Sequence, residues 1–172
     1  MVEIVKQNYD ENRKTYLNFE NILREKIGNN VQINQVGSTV IPDMYGKNII
    51  DILVGAIDST DFDRIKNDIE TLNFVASNKS KDDIYQFFSS TSEETGSGDI
   101  HIHLVIIDTD RYNDFLILRE YLLANKEEAK EYSNLKINLI GSGIDDRREY
   151  KKLKSEYVVK LLERARDWKL KN

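Results

Sequence analysis

The sequence predicts a mixed α/β (α+β) domain, in which strands and helices alternate first and a helical portion closes the chain. Three observations lead there. Short β-branched and aliphatic runs, Val31–Val36, Ile49–Val54 and Ile100–Ile107, are separated by turn-forming residues. Before and between them, apolar residues recur at helical spacing. After Asp108-Thr109-Asp110 that spacing continues almost to the end. With 172 residues, 40% of them hydrophobic and 32% charged, the chain is long enough for one core and short for two. Residues 1–172 are therefore expected to form a single compact domain.

Asn8 to Ile27 is expected to be helical, with Tyr16, Phe19, Ile22, Leu23 and Ile27 at helical spacing and Gly28-Asn29-Asn30 as the stop. Val31–Val36 then forms the first strand and feeds a Gly37-Ser38 turn. Pro42 pre-sets a further turn, and Asp43 to Lys47 is expected as loop. Asn48–Gly55 is the second strand. Asp58-Ser59-Thr60-Asp61 offers helix caps, and Phe62, Ile65, Ile69 and Leu72 mark the apolar face that follows. Phe74-Val75-Ala76 begins a short strand, Ser77–Asp83 reads as a polar connection, and Ile84–Phe88 as another strand. Ser89–Gly98 is the most loop-like stretch, and Ile100–Ile107 the last strand. Three helices are expected after it: Arg111–Ala124, Glu127–Leu139, and a long one from near Asp145. On the last, Tyr150, Leu153, Tyr157, Leu161 and Trp168 form a core-facing stripe.

Charge and composition exclude several function classes. The net charge is −5, yet Asp145–Asn172 holds ten Lys or Arg against six Asp or Glu, so the preceding residues are strongly acidic. A non-specific nucleic-acid binder would carry a broad basic surface, and this chain does not. A solvated helix face is the plainer reading of the basic segment. No apolar run approaches the length of a membrane span, and the first residues lack the layout of a signal peptide. The absence of Cys rules out disulfides and thiolate metal sites and fits a cytoplasmic protein. Nothing in the sequence specifies an oligomeric state.

Candidate chemistry gathers on the stretch Val36–Gly55. Gly37-Ser38-Thr39 leaves backbone N–H groups open to an anion such as phosphate. Asp51 interrupts an aliphatic strand, which is costly unless the carboxylate is paired or holds a cation. A partnership with Lys47 or a backbone amide is the structural alternative. His101 and His103, the two histidines of the chain, share one strand face by alternation. Such a pair can bind a divalent metal, hold a phosphate when protonated, or shuttle a proton. Lys47, Arg119, Lys136 and Lys154 are candidate phosphate or carboxylate contacts. Arg119 is favoured, because Phe115 and Leu122 flank it on the helix. Tyr132 and Tyr150 precede Lys136 and Lys154 by one helical turn, where a ring can stack on a base or pack in the core. P-loop and dinucleotide fingerprints are absent, and Ser38 does not sit in G-x-S-x-G.

Several of these residues also resemble the GrpB family. Gly37-Ser38-Thr39, Pro42, Lys47 and Ile49-Ile50-Asp51-Ile52 are similar to its signature G-S-T-x-x-P-G followed by K-P-I-I-D-I. Asp43 replaces the usual Gly, Asn48 the usual Pro, and Gln35 stands where His is frequent. Tyr9-Asp10, His101-Ile102-His103, Phe115 with Arg119 and Tyr121-Leu122, and the pairs Tyr132/Lys136 and Tyr150/Lys154 resemble further family motifs, with Glu120 for a usual Asp. The resemblance implies a nucleotidyltransferase-like mixed sheet packed with helices. That superfamily reads G-S, a spacer, then D-x-[DE] on a strand, and Leu53 takes the place of the second carboxylate. A neighbouring strand often supplies a third carboxylate, where this chain offers the two histidines.

What the resemblance implies for function is a protein binding a nucleotide or another phosphorylated small molecule. Nucleotidyl transfer with a divalent metal is an open extension. Gly37, Ser38 and Thr39 would cradle the phosphate, with Lys47, Arg119, Tyr132, Lys136 and Lys154 as further contacts. Asp51, His101 and His103 would be catalytic and hold Mg²⁺, Mn²⁺ or Zn²⁺, the mixed donor set suiting a transition metal better than Mg²⁺. Two alternatives stand beside this: a non-catalytic nucleotide- or phosphate-binding module, and a small metal-dependent hydrolase built on Asp51, His101 and His103.

Overall fold

A computed structural model describes residues 3–91, 98–142 and 147–172. Strand β1 (Val5–Lys6) leads into helix α1 (Tyr9–Ile27). Asn8 caps that helix by accepting from the Glu11 N–H, and Gly28, at φ 102°, ends it. Strand β2 (Gln32–Val36), a 3₁₀ turn (Ser38–Val40), β3 (Tyr45–Gly46) and β4 (Ile50–Ala56) follow. Helix α2 (Ser59–Glu70), capped by Asp58, precedes β5 (Phe74–Asp82), β6 (Tyr85–Ser90) and β7 (Ile100–Ile106). Helices α3 (Asp110–Ala124, capped by Thr109), α4 (Lys126–Gly141) and α5 (Arg147–Lys171) close the chain.

Five strands form one mixed sheet in the order β2-β4-β7-β6-β5. The central pair, β4 and β7, runs parallel, while the other neighbours are antiparallel. Alternation along β4 and β7 divides their side chains between two faces. Ile50, Ile52 and Val54 join Ile100, Ile102 and Leu104 on one face, packed against Tyr16, Leu23 and Ile27 of α1 and Phe62, Ile65 and Ile69 of α2. On the other, Val36, Leu53 and Val105 meet Tyr112 of α3. A third cluster joins Ile41 and Met44 to Tyr121 and Leu122 of α3, Ala129 and Tyr132 of α4, and Leu161 and Ala165 of α5. The C-terminal helices thus roof the end of the sheet where the Gly37-Ser38 turn lies.

The strands expected at Val31–Val36, Asn48–Gly55 and Ile100–Ile107 form within one or two residues of those bounds and lie in this one sheet. Elsewhere the structure corrects the expectations. The segment expected as loop, Asp43 to Lys47, contains β3, which pairs with β1. Ser77–Asp82, expected as a polar connection, lies within β5, whose pairing with β6 shifts register between Ala76 and Lys81. An edge strand wet on both faces shows no apolar alternation, so its polar composition conceals it. Ser89 and Ser90 belong to β6 rather than to a loop. The middle of the expected Ser89–Gly98 loop and the expected helix start near Asp145 lie outside the described residues.

Three of the basic residues in the C-terminal segment pair with carboxylates on the helices it packs against. Arg166 pairs with Asp114 at 2.6 Å, Lys169 with Glu120 at 2.9 Å, and Arg164 with Glu128 at 2.8 Å. Among the described residues, no helix is long and apolar enough to cross a membrane. Leu161, fully buried on α5, anchors this helix against α3 and α4. Leu161→Ala is expected to cost roughly 2–5 kcal/mol by loss of burial and creation of a cavity. A lowered urea midpoint with an unchanged slope is the measurement that checks it.

Candidate functional site

The register of the two parallel strands brings the site together. Asp51 stands opposite His101, and Leu53 opposite His103, all four on the face turned toward α3. Asp51 Oδ1 lies 3.3 Å from both His101 Nδ1 and His103 Nε2. An ionised carboxylate only accepts, so in the hydrogen bond between His103 Nε2 and Asp51 Oδ1 the imidazole is the donor. His103 is held from its other side, where Nδ1 lies 3.0 Å from the Tyr85 hydroxyl. With Nε2 protonated in a neutral ring, Nδ1 is the acceptor and Tyr85 the donor. Phe87 and Phe115 enclose the rings, with centroids 4.8 Å from His101 and 4.7 Å from His103 respectively.

Burial works against ionisation of Asp51, but the hydrogen bonds from His101 and His103 outweigh it. They hold the carboxyl well below the usual carboxylate range. Its side chain remains 26% exposed, facing a cleft. The other carboxylate oxygen, Oδ2, turns toward Gly37. A Cβ built there would overlap that oxygen, and Gly37 also holds φ 77° and ψ −164°. Both conditions admit glycine and little else.

The next residue, Ser38, faces the same cleft and accepts a 2.9 Å hydrogen bond from Lys136 Nζ. Lys136 lies on α4 and is 2% exposed, its ammonium 4.4 Å from the centroid of the Tyr132 ring. Burial, with a smaller contribution from the charge of Lys154, pushes its pKa down to about 7. Among the described residues no carboxylate pairs with it. Gly46 makes this approach possible, because a Cβ there would stand 2.9 Å from Ser38 Cβ and 3.5 Å from Lys136 Nζ.

The cleft has a volume of about 240 Å³. Gly37, Ser38, Asp51, His103, Arg119 and Lys154 supply its polar lining. Val36, Met44, Phe115, Leu118, Leu122, Tyr132 and Val158 supply the rest. Arg119 donates to Asn34 Oδ1 at 3.3 Å and to the Gln35 carbonyl at 3.2 Å, both neutral acceptors.

Of the residues expected at the site, Gly37, Ser38, Asp51, His103, Arg119, Tyr132 and Lys154 line this cleft. His101 joins through Asp51, and Lys136 through Ser38. Thr39 is fully buried, and its hydroxyl accepts from Gln35 Nε2 at 3.4 Å. Lys47 stands 5.3 Å from the centroid of the Tyr150 ring rather than against Asp51. Tyr132 stacks on Tyr157 while also lining the cleft, so packing and lining coincide in one ring. Leu53, where the resemblance leads one to expect a second carboxylate, is fully buried among Val36, Val105 and Tyr112. Tyr85 and Gly46 are additions. Alternation places Tyr85 on the histidine side only once the pairing of β6 with β7 is known. Nothing in the sequence marked Gly46.

Gly37→Ala is expected to destabilise the protein by about 2 kcal/mol or more, since it adds a left-handed backbone penalty to the overlap with Asp51. Urea unfolding measures this. Stability within error of wild type would show that the turn adapts without that overlap.

Comparison with known proteins agrees with this architecture. A crystal structure of the conserved protein GrpB from Enterococcus faecalis superposes with TM-score 0.81 over 95% of this chain and 96% of that one, at 19% identity. A cytoplasmic RNA terminal U-transferase superposes with TM-score 0.55 at 12% identity, over 83% of this chain and 44% of that one. The fold therefore resembles that of nucleotidyltransferases. In sequence, the chain is 31% identical over 164 residues to the glutamate-rich protein GrpB of Alkalihalophilus pseudofirmus, covering 93% of this chain and 94% of the relative. The family model described as GrpB protein matches residues 2–164, and the chain belongs to the GrpB family.

Proposed function

We propose that this protein binds a phosphorylated small molecule, a nucleotide first among the candidates, in the cleft between the Gly37-Ser38 turn and helices α3, α4 and α5. The observation that carries this reading is Lys136. An ammonium group 2% exposed, with a serine hydroxyl and an aromatic ring as its contacts, is unfavourable as a purely structural feature. An anion received at Ser38 supplies the missing counter-charge. Arg119 and Lys154 line the same cleft, adding a planar two-pronged donor and a point charge.

The apolar part of the lining suits the body of the ligand, and Asp51 is placed to accept from a hydroxyl or amino group on it. At about 240 Å³ the space is smaller than the roughly 300–1,000 Å³ usual for enclosed ligand sites, which favours a compact ligand over an oligonucleotide. Binding is the reading the geometry supports best. Nucleotidyl transfer or hydrolysis would need more than one carboxylate, two imidazoles and a tyrosine are shown to do.

Lys136→Met separates a binding lysine from a structural one, because the two effects have opposite sign. Removing the buried charge is expected to raise stability at pH 7 by roughly 1–4 kcal/mol. It is also expected to abolish the calorimetric signal of AMP and ATP titrations. Unchanged affinity in the folded variant would place the phosphate elsewhere.

The pH dependence follows from the same group. Lys136 titrates at about 7 when folded, against roughly 10.4 for an unfolded lysine, so between these values the unfolded chain holds the extra proton. Stability contributed through this residue therefore rises with pH across that window, and Lys136→Met is expected to remove that slope. Urea midpoints from pH 6 to 10 for the two proteins check it.

A further inference from the structure

The site resembles a nucleotidyltransferase site in its turn and its first carboxylate, yet its charges are arranged differently. In the superfamily pattern, carboxylates gather so that a divalent cation can bridge them to phosphate. Here the second position, Leu53, is sealed among Val36, Val105 and Tyr112 with no exposed surface. The remaining carboxylate, Asp51, already accepts from His101 and His103 on a single oxygen. Among the described residues, no three His, Asp or Glu side chains are placed to hold a metal ion together. The donor set does not fit a bridging cation.

Positive charge is instead supplied by the chain. Lys136 donates to a hydroxyl, and Arg119 to an amide oxygen and a carbonyl. Lys154 lines the cleft beside them. Among the described residues, none of the three is paired with a carboxylate. Two cations therefore line a small cleft and a third stands behind its Ser38 hydroxyl, while its single carboxylate is occupied by two imidazoles. A divalent cation brought in with the ligand would be repelled by the groups that neutralise the phosphate.

We infer that the cleft takes its phosphorylated ligand as the free anion, with Lys136, Lys154 and Arg119 in place of a bridging divalent metal. This rests on the phosphate-binding reading above and adds the form in which the ligand binds. Metal-free phosphate and metal-bridged phosphate make opposite demands on the same titration, so the two are separable on the wild-type protein.

The experiment is calorimetric titration of the wild-type protein with AMP and with ATP, in EDTA and then in Mg²⁺, Mn²⁺ or Zn²⁺. Affinity in EDTA is expected to equal or exceed that with each metal. Binding more than about threefold tighter with any metal, or binding only with metal, would overturn the inference while leaving phosphate binding intact. Absence of binding under every condition would overturn both. A second arm titrates the protein with each metal alone, where no saturable binding at this site is expected. Saturable metal binding that disappears in Asp51→Asn, in a variant that melts as wild type does, would also overturn it. In a third, Lys154→Met is expected to weaken AMP binding in EDTA by about tenfold, the order of one charge-assisted contact, with no rescue by added metal. Rescue by metal in this variant would count against the inference.

Discussion

The parallel pairing of β4 with β7 is the constraint on which the rest of the site depends. Six apolar residues on these strands, Ile50, Ile52, Val54, Ile100, Ile102 and Leu104, must face α1 and α2 together. Because strand side chains alternate, this leaves Asp51, His101 and His103 on the opposite face, at depths set by the same register. A slip of one residue in either strand would turn a carboxylate or two imidazoles into the apolar core. The hydrophobic pattern thus fixes the polar cluster, although none of the six apolar residues touches the cleft. The antiparallel pairing of β2 then sets Val36 opposite Asp51, which delivers Gly37 against the carboxylate.

A second constraint comes from the helical roof. The cluster of Met44, Tyr121, Leu122, Tyr132 and Leu161 pulls α4 against the turn that follows β2, and Lys136 is carried inward with it. Its hydrocarbon stem suits that interior, and its ammonium does not. Gly46 and Gly37 each give up a side chain so that the chain can close at this point. Local choices of this kind, unfavourable to stability and coincident in space, are typical of a functional surface rather than of a core.

Charge is distributed consistently with this division. Arg164, Arg166 and Lys169, near the end of α5, meet carboxylates of α3 and α4 and dock the helix. Lys154, nearly three turns before Arg164 on the same helix, instead lines the cleft. Three cations of the C-terminal segment therefore dock the helix, and a fourth is directed toward the site. Partly exposed ion pairs contribute little individually, and the fully buried Leu161 and Ala165 hold α5 more firmly than they do.

Much of this was determined by the sequence alone. Residue periodicity located the three strands of the site and the five α-helices of the described residues, and alternation placed His101 and His103 on one face. The lone Asp51 in an aliphatic strand marked itself as needing a partner. Polar, weakly patterned elements escaped: β1, β3 and most of β5 lack an apolar face from which to be read. Periodicity states which side of its own element a residue occupies, and nothing about what waits there. Only tertiary structure could decide that Lys136 reaches Ser38 across 98 positions of chain, that Tyr85 completes the hydrogen bonding of His103, and that Leu53 is sealed from the cleft. Those contacts depend on strand register and on how three helices dock over the sheet, quantities set by packing the whole core at once.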